Sequence, residues 1–321
     1  MSEFYRGKVV AVTGSTGLNG SYLVKALADA GAKVRAITHV RPANEFTKEA
    51  GEMVAADLMD AGQASEAVRG ADIVMHAAGI TGGTPLAISD PGAMVAPNAV
   101  INSQVIHACA KEKVSRLGFM SSIIVYPVLK GPMREEQAWS GEPYDLYYGL
   151  AWVKRFSEKL CKFYQDNSSL KVAIIRPSGS YGRYDNFDEN TSHALPAIMK
   201  RALSGTDPLK VWGDGRDVRD YVHASDIAKG MLLAVAKHPV CDPVNIASGR
   251  ACTTKELAQT ILDIIGSKAK LEFDKSKPTA LRERRVDISK ARKVLSYRPQ
   301  VTLREGLVDT IDWFKGRARN A

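Results

Sequence analysis

Through the first half of the chain, short apolar runs alternate with longer stretches whose apolar residues recur every three or four positions. The runs at 8–12, 33–38, 71–76, 117–121 and 171–176 read as strands, and the segments 20–30, 96–113 and 150–165 as helices. The strand-like runs are continuously apolar, the pattern of strands buried on both faces. Strand–helix alternation with short links then lays helices on each side of a parallel sheet. The expected fold is α/β, a doubly wound parallel sheet.

The second half is less regular. Further strands are expected at 218–222 and 243–246, and Thr253 and Glu256 have the spacing of a capping box that opens a helix. No linker-like stretch separates the halves. Residues 1–176 and 217–248 are expected to form the main, sheet-bearing lobe, and 177–216 with 249–321 a smaller interleaved α/β lobe.

Between the first strand and first helix lies Thr13-Gly14-Ser15-Thr16-Gly17-Leu18-Asn19-Gly20. Three glycines at this junction allow a sharp turn and close approach to a pyrophosphate, which the helix N-terminus then binds through its free amides. The strand–loop–helix context makes this a Rossmann-type dinucleotide loop rather than a bare turn. Gly14, Thr16, Gly17, Leu18, Asn19 and Gly20 are its candidate cofactor residues, though an apolar residue would pack better than Asn19. After the second strand the chain reads Thr38-His39-Val40-Arg41, with no acid to hold a ribose 2′-hydroxyl. His39 and Arg41 favour a 2′-phosphate, hence NADP over NAD; the plainer alternative is that Arg41 faces solvent.

Composition narrows the function. The 321 residues carry 44 Lys+Arg and 35 Asp+Glu, a net charge of +9. The charges are dispersed, and the densest cluster, Arg282-Glu283-Arg284-Arg285, contains an acid. An anionic small substrate accounts for this balance without nucleic acid, for which no motif is present. No apolar run is long enough to span a membrane, and the N-terminus lacks signal-peptide features, so a cytoplasmic protein is expected. Cys109, Cys161, Cys241 and Cys252 have no metal-site or redox spacing and read as reduced thiols, with no metal expected.

Several segments occur together in order: the 14–20 loop, Asp57-Leu58, His76-Ala77-Ala78, Asn98, Ser122 through Tyr126, Arg176-Pro177, Tyr181-Gly182, Trp212-Gly213-Asp214-Gly215, and Arg219 through His223. With these the chain resembles the extended short-chain dehydrogenase/reductase superfamily of nucleotide-sugar epimerases, dehydratases and reductases. Gly131 through Glu135 and the 184–197 segment resemble its GDP-L-fucose synthase branch. The resemblance implies an NAD(P)-dependent enzyme on a nucleotide-linked sugar, usually a homodimer formed through the 96–113 and 150–165 helices. It implies that Asp57 and Leu58 flank the adenine, that Ala77 and Ala78 line the dinucleotide groove, and that Asn98 holds a helix backbone. Ser122 would bond the reacting sugar oxygen, Lys154 the nicotinamide ribose, and His193 would be the general acid/base. Asn186, Arg201, Trp212 and Arg219 would face the nucleotide sugar. Taken singly, Ser122 could cap a turn, Lys154 could be a solvated lysine, and His193 could cap the helix that follows it.

The chain departs from the family where Tyr-x-x-x-Lys is expected. Lys154 is present, but Leu150 stands four residues before it. Tyr148 is the nearest candidate replacement, yet it lies roughly 600° of helix rotation from Lys154. Tyr147 returns to the lysine face one turn too far, so either tyrosine serves only if the helix starts late or bulges. Ile124 replaces a cysteine of the branch, and Gly179 an asparagine. Such a site suits an enzyme with altered acid/base groups; the alternative is a non-catalytic dinucleotide-binding sensor or scaffold.

Overall fold

The computed structural model describes residues 2–188 and 190–319. The first half contributes β1 (Val9–Thr13), β2 (Lys33–Thr38), β3 (Glu52–Ala55), β4 (Ile73–His76), β5 (Arg116–Met120) and β6 (Lys171–Pro177). The second half adds β7 (Gly179–Tyr181), β8 (Leu209–Trp212), β9 (Val218–His223), β10 (Val244–Ile246), β11 (Ala251–Thr253), β12 (Leu271–Asp274) and β13 (Glu283–Arg284). Seven strands form one parallel sheet in the order β10-β6-β5-β4-β1-β2-β3.

The apolar strands earn their pattern by burial on both faces. Val10 and Val12 join one core with Leu23, Leu27, Ile227 and Met231. Ala11, between them, joins the opposite core with Val105, Ile106 and Cys161. Successive side chains point to opposite faces of a strand, so in a sheet sandwiched by helices both sets are buried and mostly apolar. The helices Leu18–Asp29 and Ala224–Lys237 cover the first face, and Gly92–Lys111 and Tyr148–Asn167 the second.

A separate core in the second half gathers Leu195, Ile198, Met199, Val211, Leu257, Ile261, Leu307 and Ile311. The expected capping box is present: Thr253 and Glu256 bond reciprocally at the start of the Thr254–Ile265 helix. A small sheet of β11, β9 and β13, with β7 paired to β9, stands beside this core. Among the described residues no helix is long and apolar enough to cross a membrane.

From β1 the chain builds outward through β2 to β3, then returns to place β4, β5 and β6 on the other side of β1. The direction of winding therefore reverses between β1 and β4. In an open parallel sheet the crevice beyond the carboxyl ends of two such strands is where a ligand binds.

Candidate active site

The loop after β1 is shaped by contacts that exclude side chains. Gly14 has φ +65°, and a Cβ on it would lie 2.8 Å from the Ala78 amide nitrogen. A Cβ on Gly20 would lie 2.0 Å from the Gly14 carbonyl oxygen. Gly17, with extended backbone, caps the Leu18–Asp29 helix without any side-chain bond, so the first-turn amides face the crevice unclaimed by a capping group. The loop is laced down from behind: Ser15 donates to Ile37 O, Thr47 Oγ1 to Ser15 O, and Asn44 Nδ2 to Thr16 O. Asn19 donates to Ser180 Oγ at 3.4 Å, while its Oδ1 is buried with no hydrogen-bond partner. A glycine cradle at a helix N-terminus, with its first-turn amides free, fits the pyrophosphate of a dinucleotide.

A buried chain sets the opposite wall. Thr13 Oγ1 accepts from the amides of Ala77 and Ala78, so its hydroxyl hydrogen goes to His76 Nδ1 at 2.7 Å. His76 Nε2–H then donates to Asn102 Oδ1, and Asn102 donates to Ser157 Oγ. Burial, with the nearby Lys154 charge, pushes the His76 pKa down to about 3 and keeps the ring neutral. Asn98 accepts from Ile80 N and donates to the Ile80 and Met94 carbonyls, clamping the loop after β4 to the helix. Asp57 lies in a turn after β3, accepting from Met59 N, and Leu58 is buried beside it. His39 and Arg41 are exposed beyond the end of β2, where the Arg41 charge acts on Asp185.

Lys154 reaches across to β5. Its ammonium donates to Met120 O at 2.9 Å and lies over the Phe119 ring, and burial lowers its pKa to about 8. Ser122 Oγ accepts from Ile124 N as it caps a short 3₁₀ turn, which leaves its own hydrogen available to a substrate oxygen. The lysine helix begins at Tyr148, so Leu150 lies within it, four residues before Lys154. Leu150 lines a cavity of about 360 Å³ with Met94, Val95 and Tyr147. Tyr148 is 46% exposed and packs on Trp152 at the outer face. Tyr147 precedes the helix; its hydroxyl is 3.4 Å from Thr84 Oγ1, and the Arg284 guanidinium covers its ring. Of the two tyrosines, Tyr147 is the one drawn in among these groups.

His193 occupies the N-cap position of the Ala194–Leu203 helix, but its side chain makes no capping bond. It opens to solvent, yet the protein around it and the charge of Arg284 hold its pKa below the usual histidine value, so it is neutral near pH 7. Arg219 and Arg284 stand directly opposite each other on β9 and β13. Loss of hydration, with Arg219 adding repulsion, lowers Arg284 to about 10. Trp212 ends β8, with Lys277 over its ring, and Arg201 lies in the last turn of the Ala194–Leu203 helix. Asn186 is used locally, bonding Thr191 Oγ1 and Asp188 N within its own loop.

Residues 10–247 match the model of the NAD dependent epimerase/dehydratase family. The chain belongs to that family. It is 31% identical over 259 residues to the GDP-L-fucose synthase of Escherichia coli K12, covering 76% of this chain and 80% of the relative. It is also 31% identical over 248 residues to GDP-L-fucose synthase 1 of Arabidopsis thaliana, covering 75% and 76%. The fold superposes on a solved GDP-L-fucose synthetase from Naegleria fowleri bound to NADP with a TM-score of 0.83, at 21% identity and covering 98% and 96%. The chain is thus an NAD(P)-dependent enzyme of the epimerase/dehydratase family.

The family member's site has parts that the motifs did not reveal. Asn44 and Thr47 sit in a segment without regular pattern, and Arg284 was visible only as part of the basic run 282–285. Beneath the site, the buried pair Arg176–Glu158 makes two hydrogen bonds of 2.9 and 2.6 Å. Glu158 also accepts from Ser121, and Arg176 donates to the Tyr126 hydroxyl. This network ties β5, β6 and the lysine helix together directly under Ser122. Gly179 has a reason as well: a Cβ there would lie 3.2 Å from Asp220 O.

Proposed function

We propose that this chain is an NADP-dependent enzyme acting on a nucleotide-linked sugar, with Ser122 and His193 as its proton-handling groups in place of a tyrosine at position 150. The observation that carries the substrate class is the Arg219–Arg284 pair. Two like charges directly opposite on neighbouring strands repel; Asp217, 3.8 Å from Arg219, offsets part of this, while Arg284 enters no ion pair among the described residues. A diphosphate laid across both would relieve that repulsion and take up the bidentate donors. The names of the GDP-L-fucose synthases to which the chain is similar support the same class.

When bound, the dinucleotide supplies the hydride chemistry. The chain's own part is to hold it on the 14–20 loop amides, to present the Lys154 ammonium to the ribose, and to move protons at the sugar. Ser122 donates its free hydroxyl hydrogen to the reacting oxygen, and neutral His193 accepts a proton. His39 and Arg41, exposed where no acid guards the ribose, favour the 2′-phosphate of NADP. Trp152, Phe156 and Phe163 lie exposed on the Tyr148–Asn167 helix, which supports a homodimer through this face. Four free thiols suit a cytoplasmic enzyme.

The reading is tested by the melting temperature of the NADP-loaded protein with GDP-, UDP- and dTDP-sugars. A ligand at a hundred times its Kd adds about 2.7 kcal/mol to the native state. No shift with any of them would overturn the substrate class. The non-catalytic reading is favoured by Leu150 alone; hydride exchange with a 4-keto nucleotide sugar would exclude it.

A further inference from the structure

A second concave feature lies outside the crevice and shares no residue with it. An open cavity of about 910 Å³ is lined by the segment after β10, the Thr254–Ile265 helix and the 291–304 segment that leads into the C-terminal helix. Four of its lining residues are arginines, Arg250, Arg292, Arg298 and Arg304, and none is acidic.

That imbalance is unusual within this molecule. Several other arginines find carboxylates, as in Arg35–Glu52, Arg69–Glu66, Arg134–Asp287, Arg282–Asp214 and Arg285–Glu283. Among the described residues, the guanidinium groups of the four cavity arginines enter no ion pair and no hydrogen bond with the protein. The nearest acids are already committed. Asp226, buried under the floor, accepts from the amides of Gln300 and Val301. Glu305 closes a capping box with Thr302, and Asp220 accepts from Ser248. The walls are held from behind: Lys237 donates to Leu295 O, and the buried Tyr297 hydroxyl to Ala247 O. The four positive charges therefore line one concave surface, which concentrates their field.

We propose that this cavity binds a small ligand carrying at least two phosphate groups. The guanidinium fork matches phosphate oxygens in pairs, and the volume is that of a small-molecule site. Tyr297, the one aromatic in the lining, is fully buried, so no ring is offered for a nucleobase to stack on. This disfavours single-stranded nucleic acid, which uses such platforms.

The test is calorimetric titration of the NADP-saturated full chain, at low salt, with phosphate, pyrophosphate and tripolyphosphate. A saturable site that survives Arg284→Ala, and so is not the diphosphate contact proposed for the crevice, is expected, tightening in that order. Arg298→Glu and Arg304→Glu, both at exposed positions, should each weaken tripolyphosphate by about tenfold or more. Lys111→Glu, remote and exposed, makes the same change in net charge and should leave the Kd within about twofold. The absence of saturable binding, an equal loss in Lys111→Glu, or tighter binding of a short single-stranded DNA would each overturn the proposal.

Discussion

Replacing Leu150 with tyrosine should create or raise reductase activity toward a 4-keto nucleotide sugar. The helix starts at Tyr148 and runs unbroken through Lys154, so a side chain at 150 lies one turn from the ammonium and on its face. The neighbouring cavity of about 360 Å³ leaves room for the ring. Lys154 is already held at the Met120 carbonyl, and its positive charge would favour the phenolate. A positioned general acid is typically worth ~10²–10⁴-fold, which is about 3–5 kcal/mol of activation free energy. The assay is steady-state oxidation of NADPH with wild type and Leu150→Tyr side by side, with cofactor affinity measured for both. Because Lys154 titrates near 8, the gain should be present below that pH and fade above it. A variant that binds cofactor normally and gains nothing would refute the assignment of position 150 to the family's tyrosine.

Four further outcomes follow from named contacts. Arg41→Ala should lose the preference for NADP over NAD, read by titrating both cofactors; an unchanged ratio would remove the mechanism proposed for it. Arg284→Ala should weaken GDP about 10–100-fold by calorimetry, since a charge-assisted hydrogen bond is worth about 1.5–3 kcal/mol. Glu158→Gln should cost roughly 3–5 kcal/mol in a denaturant melt, because it leaves the Arg176 charge buried without its partner. Asp185 has its pKa raised by burial to about 7, from 3.8, so its contribution to stability is full below the lower value and lost as pH rises through 7, by at most ~4 kcal/mol. Asp185→Asn should therefore melt higher than wild type at pH 8 and nearly alongside it at pH 4.

What the chain declares by itself is local. The glycine loop, the apolar strands and the Thr253–Glu256 capping box were legible because each depends on neighbours a few residues away. So was the register of Leu150 against Lys154, which helix geometry alone sets. Family membership was legible for a related reason: its motifs lie in order along one chain. Strand β3 was not, since it is a four-residue edge strand, Glu52–Ala55, with three residues exposed and too short an apolar stretch to stand out. Nor did sequence predict which tyrosine faces inward. That depends on the 3₁₀ turn Asp145–Tyr147, which sends Tyr147 toward Thr84 and Arg284 and leaves Tyr148 on Trp152. The facing of Arg219 by Arg284, the lacing of the phosphate loop by Asn44 and Thr47, and the Thr13–His76–Asn102–Ser157 chain all join residues far apart in sequence. No short-range spacing encodes such contacts. They are set by how helices and strands pack, and packing selects partners by shape and burial across the whole fold.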